Sequence, residues 1–145
     1  MRALLQRVKN ASVTVDGELI SSIGNGLLVF LGIHHDDQDK QIDWLAGKIV
    51  DLRIFEDEQG KMNLSLKDIE GEILLVSQFT LYANCERGRR PDFIQSAKPD
   101  FAEEMYLKFA GRLKTLGFEP KLGVFGGDMK IALLNDGPVT IFLEK

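Results

Sequence analysis

Two short stretches, Gly26-Leu27-Leu28-Val29-Phe30-Leu31-Gly32-Ile33 and Ile73-Leu74-Leu75-Val76, contain no polar side chain. Neither approaches the roughly 20 apolar residues that a membrane-spanning helix needs. Successive side chains of a strand point to opposite faces. A strand without a polar position therefore has no face to offer water, and the pattern fits strands buried on both sides. Any fold this chain adopts must cover the front and the back of its sheet.

The remaining elements supply that cover. Leu4 to Lys9 and Ser12 to Val15 read as strands, and Asp16-Gly17 is a hairpin signal before Glu18-Leu19-Ile20. Beyond the polar loop His34 to Asp39, Asp37 is the expected cap of a helix running to about Leu52. Ile42, Leu45, Ile49 and Leu52 recur there at three- and four-residue spacing, on one face. Arg53-Ile54-Phe55 reads as a strand, Asp57 to Gly60 as a turn, and Ile73 to Phe79 as a buried strand. Pro99 suits the first turn of a second helix with Phe101, Met105, Phe109, Leu113 and Leu116 on its apolar side, stopping at Gly117. Two final strands, Met129 to Leu134 and Val139 to Leu143, are expected to join through a turn at Asn135-Asp136-Gly137-Pro138. The class is α+β: one domain over residues 1–145, with two helices covering a mostly antiparallel or mixed sheet.

Bulk properties narrow the function. The chain has 145 residues, a single cysteine and a formal net charge of −4. One cysteine excludes an internal disulfide framework and fits a reducing compartment. The opening residues carry no signal-peptide pattern, so a cytoplasmic, membrane-free protein is expected. The negative charge argues against broad nucleic-acid binding, DNA included, which needs a basic face to release counterions. One local exception stands out: Arg87, Arg89 and Arg90, with Lys98 beyond, make a basic patch. A solvated loop tip explains that patch about as well as a binding role does.

The richest chemistry lies in Ser77-Gln78-Phe79-Thr80-Leu81-Tyr82, where a buried strand ends in two hydroxyls and an amide. The plain alternative is that the hydroxyls satisfy backbone groups at the strand terminus. No histidine, lysine or carboxylate in the motif can take the proton of Thr80, so a site here works by geometry more than by a strong base. Phe125-Gly126-Gly127-Asp128-Met129 reads as a loop or bulge before a strand, and its glycines also permit close approach of a ligand. Its spacing matches no nucleotide-binding fingerprint. Cys85 lacks an adjacent base and reads as an incidental exposed thiol. His34-His35-Asp36-Asp37 has metal-ligand residue types. Adjacent strand residues face opposite ways, however, so a capping loop is expected and no metal or cofactor is called for.

Taken in order, several segments identify a resemblance. Gln6-Arg7-Val8, Ala11-Ser12-Val13, Gly60-Lys61-Met62-Asn63-Leu64, Ser77-Gln78-Phe79-Thr80-Leu81, Arg90-Pro91 with Phe93, Phe125-Gly126-Gly127-Asp128-Met129 and Asn135-Asp136-Gly137-Pro138-Val139-Thr140 follow one another along the chain. In this it closely resembles the D-aminoacyl-tRNA deacylases, first called D-tyrosyl-tRNA deacylases, over essentially its whole length. Cys85 and Asp92 depart from the pattern, where Thr and Ser are expected.

The resemblance implies a barrel-like α+β fold, a homodimer, and hydrolysis of the ester that joins a D-amino acid to the acceptor end of tRNA. It implies a catalytic segment of Ser77, Phe79 and Thr80, with Gln78 and Met129 at the substrate. It implies that Gly137-Pro138 is cis and enters the partner subunit's pocket, and that Arg7 helps orient it. A rigid Gly-Pro pair with its carbonyls against the substrate Cα would exclude an L side chain, and glycyl-tRNA would pass. With no base beside Thr80, attack assisted by the 2′-hydroxyl of the terminal ribose is the favoured route. Backbone N–H groups near Phe79 and Thr80 would stabilise the oxyanion. Arg87, Arg89 and Arg90 would meet tRNA phosphates. Two other readings stay open: a non-catalytic RNA-binding module, and a small-molecule esterase using Thr80 or Cys85.

Overall fold

A computed structural model describes residues 1–145. Its strands are β1 (Arg2–Val15), β2 (Glu18–Ile23), β3 (Gly26–Gly32), β4 (Phe55–Glu56), β5 (Met62–Leu64), β6 (Glu72–Ser77), β7 (Lys121–Leu122) and β8 (Met129–Glu144). Its helices are α1 (Asp39–Asp51) and α2 (Pro99–Thr115), and a 3-10 turn spans Phe79–Tyr82.

One mixed sheet runs β2-β1-β3-β6-β7, with β8 paired to the other side of β1. Pairings of β1 are antiparallel, whereas β3–β6 and β6–β7 are parallel. The sheet curls until Ser21 Oγ, on β2, donates to the Leu122 carbonyl on β7 at 2.8 Å. A nearly closed barrel results.

That curl explains the wholly apolar strands. Leu27, Val29 and Leu31 of β3 and Ile73 and Leu75 of β6 face outward. They pack against Ile42, Leu45 and Ile49 of α1 and Met105, Phe109 and Leu113 of α2. The alternate residues Leu28, Leu74 and Val76 face inward, against Val8, Val13 and Ile23. Both faces are dry, one under helices and the other inside the barrel. β3 and β6 also meet very closely at their start. A Cβ on Gly26 would lie 2.0 Å from the Glu72 carbonyl oxygen, so only glycine fits there.

The Asp16-Gly17 hairpin forms with both residues at positive φ, 51° and 83°. This is the geometry that matches the twist of the flanking strands.

Several expected boundaries move. The two opening strands are one, β1. The two closing strands are also one: β8 stays paired to β1 from Met129 through Glu144. Asn135-Asp136-Gly137-Pro138 does not reverse the chain. It is accommodated as an irregularity in register, opposite Gln6 to Asn10 of β1. Turn-forming residues in a long strand are compatible with a bulge as well as a reversal, and here the continuous partner strand decides.

Residues 53–55 contribute only Phe55 to a strand, β4, which pairs with the unexpected β5. Strand β6 stops at Ser77, and Phe79 belongs to the 3-10 turn.

Asp37 does not cap α1. Gln38 stands at that position, and its N–H donates to the Gln41 side chain at 3.1 Å. Asp37 is buried, with Oδ1 2.6 Å from the Met1 ammonium and Oδ2 accepting from the His34 N–H at 2.7 Å. This carboxylate holds the first residue of the chain in place of capping the helix.

Candidate active site

Strand β6 delivers the hydroxyl-rich motif to a pocket of about 680 Å³. Ser77, Gln78 and Phe79 form one wall, continuing from the strand into the 3-10 turn. Phe125 to Met129, the loop entering β8, forms the facing wall. Phe93 and the segment from Ser96 into the first turn of α2 close the side. Phe79 remains 53% exposed, its ring edge-on to Phe93 at a centroid distance of 4.9 Å. An accessible aromatic pair at the mouth of a half-apolar cleft suits a planar ligand group.

The turn has a specific chemical consequence. The first N–H groups of a helical turn have no acceptor within it. Here the first bonded one is Leu81 N–H, to the Gln78 carbonyl at 3.2 Å. The N–H groups of Phe79 and Thr80 precede it, where the turn leaves the pocket wall at Phe79. Thr80 is exposed, outside the pocket lining, and its Oγ1 accepts from Gln78 Nε2. No histidine, lysine or carboxylate shares that hydrogen bond.

Tyr106 on α2 braces the floor from behind. Its hydroxyl donates to the Leu75 carbonyl at 2.8 Å, and its ring lies 5.9 Å from Phe125. Burial pushes its phenol up to about 12, so it stays a neutral donor.

A second constellation lies elsewhere. The peptide bond Gly137–Pro138 is cis, and Gly137 has φ of 115°. Arg7, only 2% exposed, crosses from β1 beneath it. The guanidinium donates from Nε to the Asp136 carbonyl at 3.1 Å and from Nη1 to the Ile54 carbonyl at 2.6 Å. Nη2 reaches Glu56 Oε1 at 3.4 Å, and Asp136 Oδ2 lies 3.3 Å from Nε. A planar, always-charged fork can hold two segments at fixed separation in this way. Arg7, Gly137 and Pro138 are all absent from the pocket lining.

The structure therefore brings together Ser77, Gln78, Phe79 and Met129, and separately brings together Arg7, Gly137 and Pro138. Arg87, Arg89 and Arg90 project from an exposed loop whose neck is closed by backbone pairing of Asn84 with Asp92. Asp92, one of the two unusual residues, also accepts from Asn84 Nδ2 at 3.1 Å. The loop returns directly into Phe93, so the arginines sit beside the pocket mouth in sequence. Pocket residues that sequence reasoning missed are Ile33, Ser96, Ala97, Pro99, Ala102 and Ile131. They are small or apolar groups, and nothing in their identity separates them from ordinary packing residues.

His34 and His35 stack with ring centroids 4.1 Å apart. The expectation that they face opposite ways fails because a turn begins at His35, past the end of β3.

Comparisons with known proteins place the whole chain in one family and one fold. The family described as D-Tyr-tRNA(Tyr) deacylase matches residues 4–144. A Fusobacterium nucleatum protein named D-aminoacyl-tRNA deacylase is 56% identical over 144 residues, 99% of this chain and 95% of that protein. One of the same name from an Exiguobacterium species is 54% identical over 145 residues, covering 100% and 99%. Among solved structures, one named c-Myc DNA Unwinding Element Binding Protein superposes with TM-score 0.94 at 46% identity, covering 100% of this chain and 99% of that one. A probable eukaryotic D-amino acid tRNA deacylase superposes with TM-score 0.84 at 19% identity, covering 98% and 97%, and shares the fold.

Proposed function

The chain belongs to the D-Tyr-tRNA(Tyr) deacylase family, and on that premise we propose how its two separate constellations divide the work of a D-aminoacyl-tRNA deacylase. The enzyme is a hydrolase that cleaves the ester between a D-amino acid and tRNA. The pocket between Ser77–Phe79 and Phe125–Met129 receives the terminal adenosine and aminoacyl group. Gln78 and Met129 contact the substrate, and Phe79 contacts the adenosine. Arg87, Arg89 and Arg90 meet backbone phosphates of the acceptor end.

Chirality is the harder requirement. An apolar pocket separates similar shapes by only about 1–3 kcal/mol per methylene, so strong selectivity needs a feature that repels the wrong isomer. Gly137-Pro138 is that feature. The observation that carries the proposal is the separation itself. Arg7 holds the Gly-Pro segment rigidly, yet no part of the segment lines the pocket of its own chain. A second copy supplies it, so the working unit is a homodimer. The outer edge of β8 supports that assembly. The strand pairs only with β1, and Leu134 and Phe142 on it are about half exposed. Long unpaired edges are normally covered in native proteins.

Hydrolysis follows from positioning. Thr80 has no base, so the 2′-hydroxyl of the terminal ribose activates water. The N–H groups of Phe79 and Thr80 stabilise the oxyanion, each donor contributing about 3–4 kcal/mol. Such an enzyme acts in the cytoplasm, where charged tRNA is used.

The decisive assay is deacylation of matched D-tyrosyl-, L-tyrosyl- and glycyl-tRNA by purified protein with a chelator present. Release from the D and glycyl esters alone is expected. Cleavage of the L ester would sink rejection by Gly137-Pro138, and an intact glycyl ester would show that rejection is not steric. Cleavage of none would leave a binding module.

A further inference from the structure

We propose that His34, His35 and Asp36 form a site for a divalent transition-metal ion. Two of the three candidate ligands already stand close together: His35 Nδ1 lies 3.0 Å from Asp36 Oδ1. Ligands bonded to a tetrahedral zinc ion at about 2.0–2.1 Å lie roughly 3.3–3.4 Å from one another, a separation a small side-chain rotation would give this pair. His34 Nδ1 is 3.9 Å from Asp36 Oδ2, and one ligand atom from each of the three residues falls within a 4.8 Å group. Closing that gap takes rotation of exposed side chains, with Asp36 and His35 79% and 49% accessible. The same exposure leaves further coordination positions to water.

The surroundings favour an ion over a simple ion pair. The only side chains that pair with the Asp36 carboxylate are these two imidazoles. Asp37 is not a competing ligand, because Met1 and the His34 N–H occupy its two oxygens. The His34 ring is backed by Tyr82 at 5.4 Å, which limits its motion. His34 Nδ1 accepts from the Asp36 N–H at 3.1 Å. Coordination therefore uses Nε2, or Nδ1 after that one hydrogen bond is released. Two imidazoles and a carboxylate suit Zn²⁺ or Ni²⁺, whereas Mg²⁺ and Ca²⁺ prefer oxygen alone.

The position has a structural consequence. His35 N–H donates to the Gln95 carbonyl at 3.3 Å, and Ala97 N–H donates to the Ile33 carbonyl at 2.9 Å. The loop is thus stitched to the segment carrying Phe93 and Ser96, and an ion here braces the pocket wall from outside. The site takes no part in the hydrolysis derived above, so its test stands apart from the chiral assay.

Tag-free, chelator-treated protein is titrated with ZnCl₂ near neutral pH by calorimetry, and in parallel by NMR of the imidazole nitrogens. One Zn²⁺ per chain is expected, with both histidines shifting and an excess of Mg²⁺ without effect. His34→Asn and His35→Asn each weaken binding by about tenfold or more, since even loss of a group supporting a metal ligand costs roughly 10–100-fold. Cys85→Ser binds as the parent does. Absence of binding, displacement by Mg²⁺, dependence on Cys85, or unshifted imidazole nitrogens on saturation would each overturn the site. The NMR readout on the parent protein needs no variant to fold.

Discussion

A Cβ on Gly137 would lie 2.6 Å from Arg7 Nη2 and 3.0 Å from Val139 Cγ2, at a backbone φ of 115° that L side chains rarely adopt. Conformation and space therefore both demand glycine, and the neighbour a side chain would displace is the guanidinium that holds the segment. Gly137→Ala is expected to cost about 1–3 kcal/mol, the usual scale of strain at such a φ, read as a lower thermal midpoint. It should also narrow the ratio of D- to L-tyrosyl-tRNA cleavage. An unchanged ratio at lowered stability would make Gly137 structural only. Thr80 presents the opposite case, a residue that looks catalytic and lacks the means. Its hydroxyl is engaged by the Gln78 amide, with no proton acceptor at hand. Thr80→Ala should lower kcat moderately, far short of the roughly 10⁶-fold loss on removing a true nucleophile. A trapped acyl group on Thr80 would reverse that assignment.

At the scale of elements, the β4–β5 hairpin links an acid-sensitive turn to Arg7. Asp57 accepts from Asn63 Nδ2 at 2.6 Å and from the N–H groups of Gln59 and Lys61 at 2.9 and 3.0 Å. The Asn63 bond, then the Lys61 bond, holds its carboxyl below the ordinary 3.8. A carboxylate depressed in the folded state stabilises it fully above the unfolded value and loses that contribution as pH falls through the folded one. The hairpin should therefore loosen below about pH 3.8, with the Asn63 side-chain amide resonances moving first, while Asp57→Asn abolishes that step. Amide signals indifferent to acid in the parent protein would refute this. The same hairpin shows where sequence reading stops. Apolar runs announced β3 and β6, and helical spacing announced α1 and α2, because burial periodicity is local. The two-residue strand β4, the three-residue β5 and the two-residue β7 have no period to read: β7 is aligned by the longer β6, while β4 and β5 pair only with each other. Gly137-Pro138 was legible as an unusual dipeptide, but whether it turned the chain depended on β1, more than a hundred residues away. Ser77 to Phe79 were legible as a site because hydroxyls follow an apolar strand. Ala102 and Ile131 were not, because a pocket wall uses the same residue types as a core.

Across the whole molecule, the charge distribution sets one arginine-rich loop apart from the rest of the surface. The chain carries 18 Lys and Arg against 22 Asp and Glu, a balance that repels a polyanion at long range. Part of the positive charge is engaged in ion pairs within the chain. Arg2 pairs with Glu144, Lys108 with Glu104, Arg112 with Asp43 and Lys114 with Glu119. Arg87, Arg89 and Arg90 enter none of the chain's ion pairs. An unpaired guanidinium keeps its charge available to a phosphate and pays no cost for breaking an existing pair. Three of them lie on one loop, so under the proposed function a net-negative protein would attract a tRNA acceptor end there. Each phosphate neutralised contributes roughly 0.7–0.9 to the slope of log K against log salt. Arg89→Glu should weaken tRNA binding and flatten that slope by about this amount. A variant that binds more weakly with its slope intact would locate the phosphate contacts elsewhere and leave the loop as solvated surface.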